Sequence, residues 1–148
     1  MKADRGYSTA FSVPNTPEEV FTAINNVRGW WSGEITGDTD REGAEFTYLV
    51  PGAHRSRQKI TELNPGKRVA WHVADAELSF VTNKSEWKGT DIVFDIARKG
   101  EKTEVRFTHV GLSPAHECYE SCSSAWGLLV NGNLRKLITT GKAQPSPW

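Results

Sequence analysis

Residues 103–141, TEVRFTHVGLSPAHECYESCSSAWGLLVNGNLRKLITTG, decide the fold. The opening part, Thr103–Leu112, alternates apolar and polar residues, with Val105, Phe107 and His109 on one face, and reads as a strand. Ser113 follows as a helix N-cap and Pro114 fits the first helical position. A helical stripe then runs through Tyr119, Cys122, Trp126, Leu129 and Leu137 until Gly141 stops it. Glu117 and Glu120 in the early turns, and Arg135 and Lys136 near the end, suit the helix dipole. Gly132 is expected to cost stability and to mark a bend or close packing. A strand that feeds one long helix at the end of a strand-rich chain makes that helix the lid of a core or of a cavity.

Working back from this stretch, the rest reads mainly as strands. Tyr7–Val13 alternates, with Tyr7, Thr9, Phe11 and Val13 together. Thr16, Pro17 and Glu19 form a capping box that starts a short amphipathic helix carrying Val20, Phe21 and Ile24. A second short helical or turn segment, Val27–Ser32, carries Trp30 and Trp31. The pair is expected to cap one end of the core and, because adjacent residues face different ways, at most one of them to look into a cavity. Strands are then expected at Gly33–Gly37, Gly43–Val50, Arg55–Leu63, Arg68–Val73 and Thr90–Ala97. Pro51-Gly52, Asn64–Lys67 and Lys99–Lys102 are the turns between some of them. Ala74–Gly89 gives no clear period; Leu78–Val81 reads as strand and Thr82–Gly89, with Trp87, as an exposed loop. Tight turns imply antiparallel pairing. The fold class is therefore α+β: a curved antiparallel sheet wrapped around a long C-terminal helix, with two short helices after the first strand.

The bulk composition narrows the function classes. The 148 residues carry 18 acidic and 18 basic side chains and a formal net charge of zero. A basic footprint for nucleic acid or for an anionic membrane surface is missing, so no nucleic acid is expected as partner. No apolar run is long enough for a membrane span, and the opening MKADRGYS has no apolar signal segment, so a cytoplasmic address is expected. Residues 1–142 read as one domain and 143–148 as a disordered tail. Cys118 and Cys122 stand four apart on the expected helix, too far for an easy disulfide, consistent with a reducing compartment. With His116 they match no usual zinc spacing. No phosphate-binding glycine loop or nucleophile motif occurs, and no metal or cofactor is expected.

The ordered pieces Thr16–Phe21 (TPEEVF), Trp30-Trp31, Gly43–Tyr48 (GAEFTY), Asn64–Trp71 (NPGKRVAW), Thr108–Leu112 (THVGL), Tyr119, Trp126, Leu129, Leu134 and Thr140–Lys142 span nearly the whole chain. In that order they resemble the START-like, or SRPBCC, superfamily with its helix-grip fold. Within it the chain looks most like single-domain bacterial relatives of the heat-shock-protein-90 ATPase activator. The resemblance implies a START-like domain over residues 1–142. It implies little about chaperone work, because the activator's separate chaperone-engaging domain is not expected in this chain.

Alternation and helix stripe together nominate one set of ligand-binding residues: Trp30, Trp31, Phe46, Tyr48, Gln58, Trp71, Phe94, Phe107, His109, Tyr119, Cys122 and Trp126. Tryptophan combines large apolar area with a polar handle, which suits a pocket as well as a core. His109, Gln58 and Tyr48 are its polar anchors. A core histidine satisfied by a backbone carbonyl or by Tyr48 is the simpler reading of His109. Asp91, Asp95 and His72 alternate outward, so no acid partner is evident for it. The leading functional reading is non-catalytic binding of a small apolar or amphipathic molecule between sheet and helix. A protein-interaction or chaperone-associated module, assembled as a homodimer, ranks second. A cyclase- or hydrolase-like enzyme using His109 and cavity water ranks third. The cysteine spacing generates one test: elemental analysis of the purified protein should find no stoichiometric zinc. One zinc per chain that is lost in Cys122→Ser overturns that expectation.

Overall fold

The computed structural model describes residues 6–31, 34–50, 54–78, 89–110 and 126–141. Strand β1 is Gly6–Val13, helix α1 is Pro17–Asn25, and a 3-10 turn follows at Val27–Gly29. Strands β2 (Glu34–Gly37), β3 (Glu45–Val50), β4 (His54–Asn64), β5 (Arg68–Leu78), β6 (Asp91–Lys99) and β7 (Lys102–Val110) come next. The C-terminal helix enters the described residues at Trp126. It continues as a π-helical part, Gly127–Leu134, and an α-helical part, α2, Arg135–Thr140. The expected helix start at Ser113 and Pro114, both cysteines, Tyr119, Trp87 and the tail lie outside the described residues.

The local signals work as their chemistry demands. The Thr16 hydroxyl accepts from the Glu19 amide at 3.1 Å, and the Glu19 carboxylate accepts from the Thr16 amide at 3.0 Å, closing the capping box. Val20, Ala23 and Ile24 of α1 are buried. At the other end Gly141 takes φ 74° and its amide bonds the Leu137 carbonyl, which terminates α2.

All strand pairs are antiparallel in one seven-stranded sheet ordered β1-β7-β6-β5-β4-β3-β2. Among the described strands, each from β2 to β7 pairs with its neighbour in sequence, and only β1 joins across the chain, Tyr7 opposite His109 and Val13 opposite Thr103. The β4–β5 pair shifts register twice, between Arg57 and Gln58 and between Ile60 and Glu62. One shift leaves Ala74 extra on β5, the other leaves Thr61 extra on β4. Bulges of this kind bend and twist a sheet. The Ala74 bulge also explains why the sequence pattern ended at Val73. Val69, Trp71 and Val73 face inward, but after the extra residue the inward position moves to Ala76, and the strand runs on to Leu78. Gly37 ends β2 at φ 107°, where an added Cβ would lie 2.5 Å from the Glu45 carbonyl oxygen.

The inner face of the sheet and the C-terminal helix share one core. Trp126, Leu129, Val130, Leu134, Leu137 and Ile138 from the helix are all buried against it. The outer face carries polar rows: Arg68 to Asp95 at 2.6 Å and His72 to Asp91 at 2.8 Å. These pairs are half-exposed and contribute little stability. No helix among the described residues is long and apolar enough to cross a membrane.

Two expectations need correction. The helix is not regular α throughout: residues 127–134 open into a π-helix, where the Arg135 amide reaches back to the Val130 carbonyl. Gly127, Asn131, Gly132 and Asn133 are weak α-formers, so the wider turn competes well there. Asn131 bonds the Thr9 hydroxyl and Asn133 bonds the Trp30 carbonyl from this wider segment. Nor is Gly132 a close-packing site among the described residues, where an added Cβ would meet only a Leu128 methyl at 3.8 Å. Gly132→Ala should therefore stabilise the protein by about 0.5–1 kcal/mol. Gly37→Ala should destabilise it, because φ and space both refuse a side chain. Urea denaturation midpoints check both signs, and a loss of stability in Gly132→Ala would return that glycine to a packing role.

Candidate functional site

The inner face collects aromatic side chains because alternation on each strand sends the large residue the same way. Phe46 and Tyr48 come from β3, Trp71 from β5, Phe94 from β6, and Phe107 and His109 from β7, all essentially inaccessible to water. Trp126 meets them from the helix, 4.5 Å from Phe107 between ring centroids. Edge-to-face pairs dominate: Phe46 with Trp71 at 5.1 Å and 85°, and Trp71 with Phe94 at 5.2 Å and 65°. Such pairs add about 0.5–1.5 kcal/mol each beyond their buried area.

Trp30 and Trp31 are both buried in this interior, at 0% and 2% exposure. The rule of opposite faces holds for extended chain. These residues leave a 3-10 turn instead, with Trp30 at φ −136°, ψ −11°. The turn splays the two rings to 90° at 5.7 Å. Trp30 packs edge-on against Phe94 and donates its indole N–H to the Ile24 carbonyl at 3.2 Å. Trp31 lies among Phe46, Tyr48, Trp71 and Trp126.

His109 is bound on both ring nitrogens. Trp126 Nε1–H donates to Nδ1 at 3.0 Å, and Nε2 lies 2.8 Å from the Thr90 hydroxyl. An indole nitrogen can only donate, so Nδ1 must be the bare acceptor and Nε2 carries the proton toward Thr90. The fold thus holds His109 as the neutral Nε2–H tautomer. A doubly protonated ring would set N–H against N–H at Trp126. This pair also joins the C-terminal helix to β7 inside the core. Thr90 was not singled out from sequence; it stands two residues before Ile92, which pairs with His109, and only the β6–β7 register reveals the contact.

The second polar group is less complete. Gln58 is fully buried and donates through Nε2 to the Ser56 hydroxyl at 2.7 Å. Ser56, two residues away on the same strand face, was legible as an inward neighbour but was overlooked. Gln58 Oε1, Trp31 Nε1 and Trp71 Nε1 are buried without any hydrogen-bond partner. Each such atom costs about 1–3 kcal/mol relative to a satisfied one. Of the other nominated residues, Tyr119 and Cys122 lie outside the described residues. No group of side chains suited to a metal occurs among the described residues. A surface groove of about 420 Å³ lies elsewhere, between α1 and α2, lined by Glu18, Thr22, Ala23, Leu137 and Ile138 among others. None of the nominated side chains borders it.

This arrangement has solved counterparts. It is similar to the solution structure of the Aha1 dimer from Colwellia psychrerythraea, with 24% identity and a TM-score of 0.72 over 91% of this chain and 96% of that one. The chain has a helix-grip fold. DynU16, a protein in the dynemicin biosynthetic locus, shares that helix-grip architecture at 17% identity and a TM-score of 0.68. The match covers 95% of this chain and about half of DynU16, 49%. CalU16 from Micromonospora echinospora matches at 18% identity and a TM-score of 0.63, over 95% of this chain and 76% of that one. No family model and no curated protein matches the sequence. At these identities the likeness is one of fold.

The His109 geometry makes its own prediction. Nitrogen-15 NMR of the imidazole should show Nδ1 unprotonated and Nε2 protonated at neutral pH. Trp126→Phe, which leaves Nδ1 without its donor, should destabilise the protein by about 1–3 kcal/mol. A protonated Nδ1 in the wild type contradicts the assignment.

Proposed function

We propose that the protein binds a small apolar or amphipathic molecule in the interior between the sheet and the C-terminal helix, without chemistry on it. The observation that carries this reading is the set of unpartnered polar atoms, Trp31 Nε1, Trp71 Nε1 and Gln58 Oε1, inside an otherwise aromatic interior. Ligand sites in proteins are mostly apolar with a few convergent polar groups, and this is that composition. Packing alone does not require indole donors and an amide oxygen at positions where phenylalanine and leucine would fill space at lower cost. The enzymatic alternative loses support from the same interior, because both nitrogens of His109 are already engaged by Thr90 and Trp126.

A homodimer is a second reading, favoured by Leu128. This residue sits on the C-terminal helix and is 38% exposed, and a similar solved structure is a dimer. Light scattering after size exclusion, comparing wild type with Leu128→Glu, tests it; a monomer in both proteins removes it.

The binding reading predicts that N-phenyl-1-naphthylamine or a comparable neutral apolar probe changes the tryptophan fluorescence saturably. Phe107→Ala, which removes a ring in contact with Phe94 and Trp126, should change the probe affinity several-fold. Lys59→Ala, on the exposed side of β4, should leave it unchanged. Native mass spectrometry of freshly purified protein should find a co-purified small molecule. Linear, unsaturable probe response together with a ligand-free mass removes the proposal.

A further inference from the structure

We infer that the Trp31 indole fills a site that a neutral, planar, two-ring molecule bearing one hydroxyl takes over. The inference rests on the proposed interior binding and names what would be bound.

Trp31 is boxed by other rings. Centroid distances are 4.4 Å to Tyr48, 5.6 Å to Trp126, 5.8 Å to Trp71 and 6.1 Å to Phe46, with interplanar angles from 64° to 78°. A box of edges and faces accepts any flat bicycle of indole size, because those contacts depend on the ring and not on its substituents. The walls are anchored: Phe46 and Tyr48 in β3, Trp71 in β5, and Trp126 through its bond to His109. Trp31 itself belongs to no strand or helix. Its backbone amide bonds the Val27 carbonyl at 2.9 Å, while its indole N–H bonds nothing. Of the rings in the box, it is the one held by neither a strand, a helix nor a side-chain hydrogen bond.

Two unsatisfied atoms lie on the box wall and on the strand beside it, where Gln58 stands opposite Phe46. Trp71 Nε1–H is a donor without an acceptor, and Gln58 Oε1 is an acceptor without a donor. The two residues are diagonal neighbours across β4 and β5, since Gln58 pairs with Val73 and Ile60 with Trp71. A hydroxyl brings one donor and two acceptor lone pairs, the complement of this set. A hydrocarbon satisfies neither atom. A carboxylate would place its charge near the Gln58 oxygen, and the buried polar residues among the described ones include no cation to receive it. A ligand competing with an internal side chain binds with an affinity reduced by the fraction of time that side chain is away.

Calorimetric titration with 2-naphthol, 2-methylnaphthalene and 2-naphthoate tests this. Trp31→Ala should bind 2-naphthol about tenfold or more tightly than the wild type. Gln58→Leu should lower the preference for 2-naphthol over 2-methylnaphthalene by about fivefold or more, a ratio from which differences in probe hydrophobicity cancel. 2-Naphthoate should bind weakest. An unchanged 2-naphthol affinity in Trp31→Ala, or an unchanged preference in Gln58→Leu, overturns the inference. If wild type binds hydrocarbon and naphthol alike, the general binding function stands and this inference falls. If neither wild type nor Trp31→Ala binds any probe, both fall. Should Trp31→Ala fail to fold, the indole N–H signals of the wild type decide. With 2-naphthol, those of Trp31 and Trp71 should shift, and shifts confined to other tryptophans overturn the assignment.

Discussion

The β4–β5 pair carries one extra residue on each strand, Ala74 and Thr61, and the bend they impose governs where the inner side chains meet. A flat sheet of this width would present its large residues in parallel rows. The bent one turns β3 and β5 toward each other, so that Phe46 and Trp71 stand at 5.1 Å and Trp31 reaches both. The helix then closes the open side through Trp126. Its ring packs on Phe107 while its N–H is taken up by His109. Curvature, aromatic filling and the helix lid are consequently one arrangement, and the pairing of β1 with β7 joins the first strand to the one bearing His109.

Polar groups inside that arrangement fall into two kinds. At β7 both ring nitrogens of His109 are engaged, one by Thr90 and the other by Trp126. At β4 and β5 the accounting is open, with Gln58 half satisfied by Ser56 and two indole donors left over. A histidine locked in one neutral tautomer suits structural work better than acid–base work, whereas unpaired donors and acceptors in an apolar setting suit recognition. The contrast between the two groups supports the proposed binding reading over a catalytic one.

The fold was largely legible because it is written in local signals. The capping box at Thr16 and Glu19, the turn residues, the αL glycine at 141 and the period-two alternation of β1, β3, β6 and β7 each depend on neighbours a few residues away. Signals failed where a tertiary term overrode them. β5 outran its visible pattern because the Ala74 bulge reversed the phase of alternation. The helix widened into a π segment at residues that α-propensity holds only weakly. A 3-10 turn, not a strand, presents Trp30 and Trp31, and both are buried.

The candidate site divides along the same line. Alternation by itself chose which side of each strand faces in, and so it named Phe46, Tyr48, Gln58, Trp71, Phe94, Phe107 and His109 as companions. That choice needs only the two-residue period of an extended chain. Which of them touch, and which polar atoms end up paired, depends on register and curvature that no local pattern encodes. Thr90 meets His109 only through the β6–β7 pairing, and the Gln58 oxygen and two indole nitrogens are left alone only because the bent sheet brings rings, not partners, against them. The sequence determined a sheet with an aromatic inner face and a helix to cover it. The tertiary structure decided that His109 is a satisfied tie between helix and sheet, and that Trp31 stands at the centre, because hydrogen-bond partners there come from residues far apart in the chain.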